Sequence, residues 1–195
     1  MSNISLADKY YLKALDNYYY NYELEVEDLS YALSYDDEHA RAWCLQGRMQ
    51  MEILKDFESA KHSFELALLY DHLYVETYKY YTLVLLWTNE FDKTKRLLYK
   101  ASGIKGMPLS TLQHRWSLYY ELQGRIDKAL FVVKQSRLLS TDEASYQYFE
   151  TEIKRLERKM AKPTAEVEKE KKKEVKKARL KFIKALSQIV SKWLF

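Results

Sequence analysis

Turn-forming residues are scarce in this chain, with four glycines and two prolines among 195 residues. A β-rich or loop-rich fold needs such residues at short intervals, so their scarcity argues for a helical protein. Cysteine is scarcer still. The single Cys44 rules out an internal disulfide and fits a reducing compartment. Long apolar runs are missing too. The longest aliphatic-aromatic stretch, near residues 80–87, is far too short to span a bilayer. The first eight residues have neither the basic start nor the apolar middle of a secretory signal. A soluble, cytoplasmic protein is the expectation.

Catalytic groups are missing in the same way. His39, His62, His72 and His114 are dispersed, and none pairs with Cys44 or another histidine at metal-ligand spacing. Gly103 and Gly106 do not make a phosphate loop. The Asp36/Asp37 pair falls between two helical segments, where capping accounts for it. His39 and His62 are expected on the surface, and Cys44 buried as a small thiol on the packing side of a helix. No enzyme, metal or cofactor is expected.

What the chain does have is tyrosine, 18 of them, within a 47% apolar composition. Tyrosine offers aromatic area with a polar tip and suits half-buried faces. The chain also repeats itself. A small or short residue, a bulky one four on and a small one three later recur as Glu25/Leu29/Ala32, Ala60/Phe64/Ala67, Thr94/Leu98/Ala101 and Ala129/Val133/Ser136. Their last members lie 35, 34 and 35 residues apart, as 32, 67, 101 and 136 show. A fixed period of this size marks stacked helical hairpins. Each repeat has a first helix, for example Trp43, Gly47, Met51 and Leu54, and a tight polar connection such as 55–58, 89–92 or 124–127.

These residues resemble the tetratricopeptide repeat (TPR) family, with Ala60/Phe64/Ala67 and the turn aromatics Phe57 and Phe91 fitting best. The repeats are divergent: Glu25 and Thr94 stand where alanine is typical, and the usual closing proline is absent. The resemblance implies an all-α solenoid of about four hairpins over residues 5–160. A capping helix over 143–160 closes it, and the turn-rich 103–108 segment reads as a hinge. A charged linker over 161–177 and an amphipathic basic helix over 178–195 complete the organisation.

The resemblance also implies a partner-binding concave surface lined by the first helices. Family register puts Tyr10, Leu45, Met49, Lys79, Leu83, Trp87, His114, Leu118 and Tyr148 on it. Such an apolar lining suits an amphipathic helix or apolar peptide of another protein. The family's carboxylate-clamp positions hold mostly unsuitable residues, Arg115 alone being basic, which argues against a clamp.

Charge is distributed unevenly. Residues 1–100 carry 11 basic and 17 acidic side chains, and residues 161–195 carry 11 and 4. The acidic front half repels nucleic acid. In the last segment Leu180, Ile183, Leu186, Val190, Trp193 and Leu194 share one side of a helical wheel, with lysines on the other. That side must be buried against something: the repeats themselves, another protein or a second copy, or an anionic membrane. The leading expectation is a protein-interaction scaffold or assembly factor, with the tail as second contact or groove cover. An RNA-binding helical repeat and a membrane-tethered scaffold are the alternatives.

Overall fold

The computed structural model describes residues 4–18, 20–161 and 173–177, and all the secondary structure among them is helical. Among the described residues up to 161, these α-helices follow one another: α1 (Leu6–Asn17), α2 (Tyr22–Tyr35), α3 (Ala40–Met49), α4 (Phe57–Tyr70), α5 (Val75–Trp87), α6 (Phe91–Ser102), α7 (Leu109–Leu122), α8 (Ile126–Leu138) and α9 (Glu143–Ala161). The chain divides into two compact units, residues 1–153 and 154–195, with the division falling inside α9. In the second unit the described residues are the end of α9 and a solvent-exposed helical stretch, 173–177.

In the first unit α1/α2, α3/α4, α5/α6 and α7/α8 pack as antiparallel pairs. Successive pairs join through α2 on α3, α4 on α5 and α6 on α7, while α1, α3, α5 and α7 also touch in sequence. The architecture is an all-α solenoid. Helix starts follow their sequence signals: Ser5, Asn21 and Asp56 accept hydrogen bonds from Asp8, Leu24 and Ser59 amides. His39 does the same for α3. Contrary to the surface position expected of it, this imidazole is buried, its Nδ1 accepting from the Ala42 amide at 3.1 Å and its Nε2 lying 3.2 Å from Asp8.

The turns repeat as faithfully as the helices. Lys55, Asn89 and Gly124, 34 and 35 positions apart, all take positive φ at the end of a first helix. Only Gly adopts this conformation without a Cβ penalty, so Lys55 and Asn89 carry the turn at some cost. The expected hinge at 103–108 is anchored, because Ile104 and Met107 pack against the central core.

The repeating small residues explain how the pairs close. Ala60, Thr94 and Ala129 are fully buried where α4, α6 and α8 meet their partners. Opposite them stand Gly47, Thr82 and Ser117, also buried. Thr94 and Ala129 follow Thr82 and Ser117 by 12 positions, but Ala60 follows Gly47 by 13. One extra residue must be absorbed, and it is: residues Gln50–Leu54 form a π-helical turn continuing α3. A π turn takes up a one-residue insertion without breaking the helix. The Gln50 side chain then accepts from Ser63 on α4 at 2.8 Å. Phe64, Met51, Tyr78 and Leu85 fill the central core, each side chain contributing roughly 1.5–3 kcal/mol by leaving water.

Candidate functional site

The side of the solenoid formed by α1, α3, α5, α7 and the start of α9 carries two cavities. The first, about 240 Å³, lies among α1, α3 and α5 and is walled by Tyr11, Arg41, Arg48, Tyr74 and Tyr80, with Glu76 at its edge. Arg48 organises it. Its guanidinium lies 4.1 Å over the Tyr18 ring and 4.9 Å over that of Tyr80, and its Nε donates to Glu52 at 3.2 Å. Tyr18 donates to the same carboxylate at 2.7 Å. Arg41 covers the Tyr74 ring at 5.9 Å. Burial pushes the Tyr74 and Tyr80 hydroxyls up, so both remain donors at neutral pH. Cys44 lines the cavity too, but burial pushes its thiol up to about 12, which removes it as a nucleophile.

The second cavity, about 310 Å³, lies between α7 and α9 and is lined by Ser110, Thr111, His114, Ser145, Tyr148 and Phe149. His114 and Tyr148 meet edge-on at 5.6 Å. Arg115 sits between the cavities. Its Nε and Nη2 donate to the Lys79 carbonyl at 3.4 and 3.3 Å, and its Nη1 donates to His114 Nδ1 at 2.9 Å. Burial lowers the Arg115 pKa. Because Nδ1 accepts here, the neutral imidazole carries its proton on Nε2.

The residues expected on this surface are placed as follows. Tyr10 stacks on Tyr35 of α2 and meets Tyr31 at a tilt, and Tyr11, its neighbour, faces the first cavity. Leu45 lines that cavity while buried in the first core, and Met49 is buried there with Ala14 and Leu29. Leu83 and Leu118 are half-buried against the central and third cores. Lys79 pairs with Glu76 at 2.5 Å. Trp87 is half-exposed and meets Phe57 edge-on at 5.8 Å. His114 and Tyr148 come together. The surface between them is thus aromatic and cationic, with the leucines beneath it. Tyr11, Arg41 and Arg48 escaped the sequence reading; a one-residue shift of the α1 register would have found Tyr11. Leu180, Ile183, Leu186, Val190, Trp193 and Leu194 lie outside the described residues.

Among the described residues no group of His, Cys, Asp or Glu has the arrangement to hold a metal ion. Among them, too, no helix is long and apolar enough to cross a membrane.

No family model matches the sequence, and no curated protein does. The structure is similar to a solved structure of PilF from Pseudomonas aeruginosa, with a TM-score of 0.66 and 20% sequence identity. The match covers 79% of this chain and 70% of that one. At that identity the likeness concerns the fold alone, and with the paired helices above it supports a TPR-like helical repeat for this all-α solenoid.

Proposed function

We propose that this protein is a non-enzymatic scaffold that holds a segment of a partner protein, an amphipathic helix or peptide, along the surface formed by α1, α3, α5, α7 and the start of α9. One observation carries the reading: two cavities open on this same side, walled by tyrosines, arginines and a histidine rather than sealed by the core. Tyrosine and arginine give large contact area with directional polar ends and dominate the energetics of protein interfaces. The aliphatic layer beneath keeps those side chains in place. The basic amphipathic segment 178–195 is a second contact in this reading. The buried Cys44, the chain's single cysteine, suits a cytoplasmic protein.

The test is paired affinity capture with the full chain and a Tyr80→Ala/Arg115→Ala variant whose melting curve is compared with that of wild type. A partner held by the wild-type bait and lost by a still-folded variant supports the surface. Equal recovery on both baits refutes it, and crosslinked RNA in place of protein would favour a nucleic-acid role.

A further inference from the structure

The first hairpin has an outer side that nothing in the described structure covers. On α2, Leu24, Tyr31 and Tyr35 fall within about 40° of one another around the helix. They are 44%, 44% and 54% exposed. Tyr10 of α1 extends the stripe, its ring 5.0 Å from Tyr31 and 5.6 Å from Tyr35, and Leu6 lies one turn earlier at 51% exposure. Carboxylates border it: Glu27 lies one turn before Tyr31, whose hydroxyl pKa its charge raises, and Glu23 and Asp28 stand on the same helix. Asp28 is tied to Asn17 at 3.1 Å. Residues 1–38 hold nine acidic side chains and two lysines, a net charge of −7.

The chain contains a segment of complementary chemistry. Residues 178–195 have three lysines, one arginine and no acidic side chain, with Leu180, Ile183, Leu186, Val190 and Trp193 at helical spacing. Over 161–195 the net charge is +7. An apolar stripe edged by carboxylates and an apolar stripe edged by lysines satisfy each other in both respects.

We infer that the outer stripe of the first hairpin docks the basic 178–195 segment of a second copy of this chain. The hairpin lies at the beginning of the chain and the segment at its end. Exchange between copies therefore joins head to tail, and when reciprocal it closes into a two-fold dimer with two identical contacts. The inference rests on the reading of the tail as a contact segment, and is independent of the groove.

The experiment is sedimentation equilibrium of the full chain at low and high salt, with three variants. Wild type should weigh twice the chain mass at low salt and dissociate at high salt, where exposed charges are screened. Tyr31→Lys, which disables the stripe, and Leu186→Asp, which disables the tail, should each be monomeric alone. Mixed in equal amounts they should associate again, because one intact stripe meets one intact tail. If Tyr31→Lys fails to fold, Glu27→Lys/Asp28→Lys takes its place and should weaken association at low salt. Arg115→Ala should leave association unchanged, which separates this contact from the groove.

A wild-type monomer overturns the inference, and so does a dimer indifferent to these variants. Failure of the mixture to associate also overturns it. A monomer in which quencher protection of Trp193 is lost in Tyr31→Lys would show docking within one chain instead. A monomer whose tail binds only anionic vesicles would show a membrane contact.

Discussion

Gly47 on α3 and Phe64 on α4 are fitted to each other: a Cβ at Gly47 would lie 2.8 Å from the phenyl Cε1 and 3.1 Å from the Ala60 carbonyl. The aromatic ring and the backbone behind it leave no room for a methyl group. Gly47→Ala therefore gains about 1 kcal/mol of helix propensity but forces the α3/α4 pair apart. Overpacking of this kind costs about 1–3 kcal/mol. The expected net result is destabilisation, measured by urea titration, with the midpoint lowered. Phe64→Leu should relieve the clash, so the double variant should lose less than the sum of the two single losses.

Glu25 should make the first hairpin sensitive to pH. Its carboxylate is fully buried and both oxygens lack hydrogen-bond partners. Burial pushes its pKa up to about 7, partly offset by Arg48 and reinforced by Glu52, the charged groups facing it from the second hairpin. The folded state thus keeps its proton where the unfolded chain, ionising near 4.5, has lost it. The stabilisation is complete below pH 4.5 and disappears as pH rises through about 7. The displacement corresponds to a ceiling of roughly 3 kcal/mol. Glu25→Gln, nearly isosteric and non-ionising, should flatten this limb of the stability–pH profile. A wild-type profile level between those two pH values would show that the carboxylate reaches solvent or a cation.

These two residues show what the sequence could and could not disclose. Gly47, Phe64 and Ala60 were legible because helix pairs that cross closely need small residues at fixed spacing, and the spacing repeats. Glu25 was visible as a departure from that pattern, but whether its carboxylate would be buried depends on the three helices around it. The π turn at Gln50–Leu54 was hidden in one count, 13 against 12, that period alone does not flag. On the candidate surface a single residue of register decided between Tyr10 and Tyr11. Arg41 and Arg48 became candidates only once tyrosines from α1 and α5 were seen to converge on them. His39 has an ordinary capping role through the Ala42 amide, but its burial was unreadable without knowing that Asp8 approaches it.

Lys61 should tie the second hairpin to the third. It donates to Glu58 at 2.7 Å and across to Glu90 at 2.5 Å, and is itself buried. Its bond and that of Lys93 push the Glu90 carboxyl down to about 2. The lowered value means stabilisation that is present above the ordinary 4.5 and is lost as pH falls through about 2. Glu90→Ala leaves Lys61 with the exposed Glu58, so a loss of about 1–3 kcal/mol is expected at neutral pH, smaller in acid. Equal losses at both pH values would assign the effect to packing instead.

Cys44 reports on the integrity of the first two hairpins. Its thiol is 4% exposed and its pKa stands at about 12, so thiolate is nearly absent at pH 8. Labelling of the native protein by a disulfide reagent at that pH should be slower by several orders of magnitude than labelling in denaturant. The residual rate should be first order in reagent and scale with the equilibrium for opening of the α3/α5 contact. Gly47→Ala, which strains α3, should raise that rate about tenfold for each 1.4 kcal/mol of stability lost if opening is global. An increase well beyond that proportion would locate the opening in the α3/α4 pair alone. Rapid labelling of the folded wild type would contradict the burial of Cys44 altogether.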